Sequence, residues 1–254
     1  RVIGGGMTDE PIPRPYFAME RLDGDTLYAV MRRRGRPFSM RSAIDCAIEL
    51  LEGLDVAHNP PHLLLHRDIK PANIFMNRIT PHETRAVLLD FGLAQMFAEA
   101  SRITGKYFLG TLEYASPEQL LGKPLTPRSD LYNIGLVLFE LLSGRHLFGH
   151  CKGDRNAYAH AHLHDAPARL SALGIDMDPA LDEIVHRAVQ KDPNARPRSA
   201  HDFAHALKAI RTSLDLARPR PVLDAATEEE PFEALWAHMG VTPTTSGADA
   251  GPSS

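Results

Sequence analysis

Apolar residues recur at helical spacing along one early stretch, where Ala43, Ile44, Ala47, Ile48, Leu51, Leu54 and Ala57 fall on one face. Ser39 stands where a side-chain oxygen can cap that helix. Asp25-Thr26 opens a shorter helix through Met31. Ahead of both, Arg1-Val2-Ile3 and Tyr16-Phe17-Ala18-Met19 are short apolar runs separated by a turn-rich stretch from Gly4-Gly5-Gly6 to Pro15. This pattern predicts two strands and a connecting loop. After His66, Ile74-Phe75-Met76 and Val87-Leu88-Leu89 predict a small strand pair. A long irregular stretch follows, from Phe91 to about Thr126; loops of that length in a compact domain are functional or disordered. Leu131 to Leu142 is apolar on nearly every side and ends at Ser143-Gly144, which predicts a helix at the centre of a core. Further helices are predicted near 155–164, 178–190 and 199–211. From about Ser213 to Ser254 the chain is rich in Pro, Thr, Ser, Gly, Ala and acids, the composition of a mobile tail. Within it, Pro231 to Met239 predicts a marginal helix around Trp236. No internal repeat is visible.

Composition narrows the classes. The chain has 254 residues, 43% hydrophobic and 24% charged, with a formal net charge of -4. That length suits one large domain or two small ones, and no basic stripe suggests a nucleic-acid partner. Its apolar runs are too short to span a bilayer, and the start lacks the pattern of a signal peptide. Cys46 and Cys151 make no metal or redox spacing. Two free thiols fit a reducing compartment, so a cytoplasmic location is expected.

The chemistry sits in one string, His66-Arg67-Asp68-Ile69-Lys70-Pro71-Ala72-Asn73, followed by Asp90-Phe91-Gly92. Phosphoryl transfer to an alcohol needs a carboxylate near the attacking hydroxyl, ligands for the magnesium on the phosphates, and positive charge near the transferred group. Asp68 can accept the hydroxyl proton. Asn73 and Asp90 offer the oxygen ligands that magnesium prefers. Lys70 brings an ammonium beside the base. The short step from Asp68 to Asn73 spans a loop entering a strand, so both side chains can point into one cleft.

On these residues the chain resembles the eukaryotic-type protein kinases, in particular their bacterial Ser/Thr branch, over roughly residues 1–212. The catalytic loop and the Asp90-Phe91-Gly92 triplet match. So do Gly110-Thr111-Leu112-Glu113-Tyr114-Ala115-Ser116-Pro117-Glu118 at the end of the activation segment, with Ser for the commoner Ala. Ser129 to Gly135 matches the start of the central helix, and Lys191 to Pro197 the late arginine motif. Several motifs in one order are a far stronger signal than any one alone.

The resemblance implies an α+β, protein-kinase-like fold: the end of the small lobe and the hinge over 1–22, a mainly helical large lobe over 23–212, and the tail over 213–254. It implies ATP and Mg2+ as cofactors, protein substrates, and transfer to Ser or Thr because of Lys70. Met19 would be the gatekeeper, Glu20 and Leu22 would bond adenine through their backbones, and Phe75 would lie under it. Thr111 would hydrogen-bond with Asp68 and Lys70. Glu118 and Arg196 would form a buried ion pair, whose breaking typically costs about 3–5 kcal/mol. Asp130 would accept backbone N–H groups of the catalytic loop. His66 and Phe91 would pack beneath it, beside Gly92. Arg67 would pair with a phosphate on Ser101 or Thr104, which would order the loop.

The same resemblance expects a phosphate-covering Gly-rich loop, a strand lysine and a helix glutamate. Gly4-Gly5-Gly6 has the wrong spacing, and the first lysine is Lys70. With Arg1 rather than Met at the start, the chain is expected to be a clipped piece of an intact kinase. As an isolated chain it is expected to be nearly inactive, with apolar surface exposed where the small lobe would cover it. The alternative is a pseudokinase-like or truncated lobe that binds proteins without transferring phosphate. A small-molecule kinase of the antibiotic-phosphorylating type is disfavoured by the Ser-Pro-Glu ending, Asp130 and Arg196. Among bland readings, His160, His162 and His164 are expected on a solvated helix face. Arg32-Arg33-Arg34 with Arg36 is expected to be a solvated helix end suited to the helix dipole. Glu228 to Glu230 is expected to solvate the tail.

Overall fold

The computed structural model describes residues 2–10, 12–81, 83–91 and 112–217. The expected tail helix around Trp236 lies outside them, as do Gly92, Ser101, Thr104 and Thr111.

Strands β1 (Val2–Met7) and β2 (Pro15–Met19) pair antiparallel, with Gly4 opposite Ala18 and Gly6 opposite Tyr16. The three glycines therefore lie inside a strand, not in the expected loop. The hydrogen-bonded partner supplies what glycine's own poor strand propensity does not. The turn proper closes where Thr8 N–H donates to Arg14 O at 2.8 Å. Ile3, Met7, Tyr16 and Met19 are exposed on this hairpin.

A second antiparallel sheet has the order β3 (Gly24–Thr26), β4 (Ile74–Thr80), β5 (Glu83–Leu88). The expected strand pair thus gains a third member where the pattern had placed a helix start. Gly24, at φ 144°, lets the backbones approach; a Cβ there would run into the Met76 carbonyl. Thr26 is still extended, and its Oγ1 caps helix α1 (Leu27–Arg34) by accepting from Ala29 N–H at 3.2 Å. The arginines of α1 are engaged at its C-terminal end: Arg33 meets Asp25 at 2.6 Å, and Arg34 lies over the Phe38 ring.

Helix α2 (Met40–His58) is capped by Ser39 as expected. It packs on the central helix α4 (Pro127–Ser143), whose Leu131, Tyr132, Leu136 and Leu138 are fully buried. Short helix α3 (Pro117–Leu120) precedes α4, and α5 (Arg155–His164), α6 (Pro179–Ala188) and α7 (Ala200–Ala217) follow it. Gly135 lets α6 sit close on α4, since a Cβ there would lie 2.7 Å from Ala188 Cβ. Helix α7 runs past the expected end at 211 into the supposed tail. Its last turns are tied by Arg41 and Arg211 to Asp215 and by Arg211 to Asp45 at 2.8 Å. Both cysteines are buried free thiols, and burial pushes the Cys46 thiol up. Among the described residues no helix is long and apolar enough to cross a membrane.

Candidate active site

The loop from His66 to Asn73 lies between α2 and β4, and its shape is set by the helix beneath it. Asp130, in the first turn of α4 and fully buried, accepts from His66 N–H with Oδ2 and from Arg67 N–H with Oδ1, both at 2.9 Å. His58, at the end of α2, reaches the same carboxylate at 2.8 Å. One carboxylate thus satisfies consecutive backbone donors that would otherwise be buried unpaired.

His66 is fully buried. Its Nδ1 lies 3.3 Å from Asp68 N–H and its Nε2 2.8 Å from Leu89 O. These partners fix a neutral ring with the proton on Nε2. The Phe91 ring stands edge-on to it at 4.7 Å. His66 thereby joins the catalytic loop to the end of β5, just before Asp90. Arg67 at φ 70° and Asp90 at φ 63° both take left-handed backbones. Such residues cost about 1–3 kcal/mol each and persist only where their surroundings determine them.

The loop's chemistry converges on Asp68. Its Oδ2 accepts from Asn73 Nδ2 at 2.8 Å, and Asn73 Nδ2 also donates to Asp68 O at 2.8 Å. Lys70 Nζ lies 2.8 Å from the same Oδ2. Asn73 sits at the end of a short 3-10 turn begun by Pro71, and its carbonyl accepts from Leu89 N–H at 2.9 Å. The Asp68 carboxylate, the Lys70 ammonium and the Asn73 amide are therefore together, and Asp90 lies two residues beyond the end of β5. Of the residues expected at the hinge, Met19 ends β2, Glu20 is exposed and Leu22 is half-buried. Half-buried Phe75 pairs with Thr26 and Val87 in the β3-β4-β5 sheet.

Behind the loop, Arg196 lies fully buried against Glu118 of α3. Its Nη1 and Nη2 meet the two carboxylate oxygens at 2.7 and 3.0 Å. Its remaining N–H groups donate to the carbonyls of Gln190, Arg128 and Lys191, and its guanidinium stacks on Tyr132. Burial alone would raise the Glu118 carboxyl, but the hydrogen bonds and charge of Arg196 hold it below the usual range.

The segment Leu112–Ala115 forms a shelf held by groups the sequence reading missed. Asn133 Nδ2 donates to Tyr114 O, and Tyr114 donates its hydroxyl to Glu140; Asn133 and Glu140 both belong to α4. His162 is fully buried, not solvated as expected. Its Nε2 lies 2.9 Å from Glu113 O, and its Nδ1 lies 2.8 Å from the Tyr132 hydroxyl. Burial lowers its pKa to about 3. His160 and His164 do lie outward, so only the middle histidine departs. Helical spacing carried the signal, because His162 follows buried Tyr158 by four residues.

Fold and loop together define the class, a kinase-like helical lobe. The comparisons agree. Residues 10–208 match the family model described as the protein kinase domain. Serine/threonine-protein kinase PknB of Mycolicibacterium smegmatis is 32% identical over 238 residues, covering 86% of this chain and 36% of that protein. PknJ of Mycobacterium tuberculosis is 35% identical over 196 residues, covering 77% and 33%. A double mutant of the Mycobacterium tuberculosis PknI kinase domain superposes with a TM-score of 0.60 at 25% identity, covering 83% of this chain and 70% of that one. The chain belongs to the protein kinase domain family, and its relatives are bacterial Ser/Thr kinases. It spans about a third of the length of these curated relatives.

Proposed function

We propose that this chain is the catalytic lobe of a protein kinase that transfers the γ-phosphoryl group of ATP to Ser or Thr hydroxyls of protein substrates. The observation that carries this reading is the convergence of Lys70 and Asn73 on one oxygen of Asp68, each at 2.8 Å. With Oδ2 so engaged, Oδ1 is the atom we assign to take the substrate's hydroxyl proton. The hydroxyl oxygen then attacks the γ-phosphorus, the bond to the β-phosphate oxygen breaks, and ADP leaves. Lys70 offsets negative charge at the transferred group.

Asn73 Oδ1 and the Asp90 carboxylate are the hard oxygen donors that suit magnesium, which keeps several waters and phosphate oxygens and needs few protein ligands. These two residues would hold it, and the bound ion would neutralise charge on the phosphates. Met19, Glu20, Leu22 and Phe75 are assigned to adenine. We place the activity in the cytoplasm, where ATP is. Arg67 Nε is buried with no hydrogen-bond partner among the described residues, which supports an anion site for a phosphate on Ser101 or Thr104. We take the lobe to begin after the hinge at 22 and to end with α7.

The test uses the full-length protein that carries this chain. Asp68→Asn should lower phosphate transfer to a Ser/Thr peptide by about 10²–10⁴-fold, the usual contribution of a general base. Equal rates for the two proteins would sink the enzyme reading and leave a protein-binding module.

A further inference from the structure

Arg67 holds its left-handed backbone because its peptide groups are gripped from both sides. Its N–H donates to Asp130 Oδ1 at 2.9 Å. Its carbonyl accepts from Gln119 Nε2 at 2.6 Å. Gln119 is itself fixed on α3. Its Oε1 accepts from Ser116 N–H at 2.8 Å, and its own N–H donates to Ser116 Oγ at 3.4 Å.

This is a capping box, and a capping box uses only the oxygen of the residue at the third helical position. Nε2 is surplus to the cap, yet it crosses to the carbonyl of the residue immediately before Asp68. That carbonyl belongs to the Arg67–Asp68 peptide, whose plane orients the Asp68 side chain. The preceding residue on α3, Glu118, is pinned by Arg196, so Gln119 reaches out from a rigid base.

We propose that Gln119 is a positioning residue: its Nε2–H clamps the Arg67–Asp68 peptide, so the end of the activation segment sets the aim of the catalytic carboxylate. The proposal rests on the kinase reading of Asp68. It makes the Glu118–Arg196 pair part of the catalytic geometry at one remove, through the residue beside it.

The experiment compares Gln119→Glu with the parent in the full-length protein. Glutamate keeps the capping oxygen and is itself a preferred capping-box residue, so α3 stays folded; the donor to Arg67 O is replaced by a carboxylate oxygen, which can only accept. The expected result is a fall in kcat of about tenfold, the scale of one hydrogen bond, with KM for ATP unchanged. Hydrogen exchange should speed up over residues 66–70 while the melting temperature stays within a few degrees. A second variant pair separates positioning from simple damage. In an Arg67→Gly background the left-handed backbone carries no Cβ penalty, so Gln119→Glu should cost clearly less there. An unchanged kcat with unchanged exchange overturns the proposal, and so does an equal loss in both backgrounds. If the parent protein transfers no phosphate, the kinase reading fails; exchange over 66–70 then still decides whether the clamp exists.

Discussion

The catalytic loop and the shelf at Leu112–Ala115 are both short, irregular and tied to α4, but by different chemistry. The loop hangs on a charge, with Asp130 accepting from His66 N–H, Arg67 N–H and His58. The shelf hangs largely on neutral groups: the Asn133 amide, and an imidazole whose orientation is fixed by Tyr132. A buried carboxylate with several donors makes strong, directional bonds that hold an unfavourable backbone. Neutral bonds suffice where the backbone is unstrained, and no left-handed residue occurs among the described residues of the shelf. The loop proposed to aim a reacting group is therefore anchored by a carboxylate, and the shelf mainly by neutral groups.

The largest expected effect comes from removing the charge. Asp130→Ala leaves two backbone donors and His58 unpaired and should cost about 3–5 kcal/mol, among the largest effects of a single substitution. Urea unfolding measures it, and a loss below 1 kcal/mol would mean the loop does not depend on this anchor. On the shelf, His162→Ala should cost about 1–3 kcal/mol. In the full-length protein it should raise KM for a peptide substrate while leaving KM for ATP alone; parallel rises in both would dissolve the distinction between the two regions.

The smallest effect is with pH. His162 is neutral in the fold, with a pKa of about 3 against an ordinary value near 6.5. The unfolded chain therefore takes up a proton that the fold refuses, and stability falls as pH drops from about 6.5. The loss should reach about 1–2 kcal/mol by pH 5. Glu118 has the opposite origin but the same sign: its carboxyl is held low, so its contribution is present above the ordinary carboxylate range and disappears only as pH falls below about 4. The neutral anchor should thus weaken first. Melting temperatures from pH 7 to 5 should slope less in His162→Gln, and an identical slope would remove His162 from this account.

Much of the fold was legible because it is written locally. The Ser39 cap, the apolar stripe of α2 and the all-round apolar run of α4 each need only neighbouring residues. Asp68, Lys70 and Asn73 were legible for the same reason, being packed into one turn of loop. The partners of Asp130, and the match of Glu118 with Arg196, came only through the family resemblance, since each joins distant segments. Three features were misread or missed. Gly4-Gly5-Gly6 read as a turn because propensity ignores the pairing strand. His162 was grouped with its outward neighbours although helical spacing pointed it inward. Gln119 was passed over, yet Ser116-Pro117-Glu118-Gln119 has the spacing of a capping box.

Asp130 has one further consequence, for the order in which the molecule assembles. The carboxylate that shapes the catalytic loop arrives on a helix 63 residues later in sequence than Arg67. The bond from Arg67 N–H to Asp130 cannot form before α4 has docked beside the loop. The loop is therefore expected to take its final shape late in folding, after the helices have packed. Lesions in it should act mainly by speeding unfolding and leave the folding rate nearly untouched.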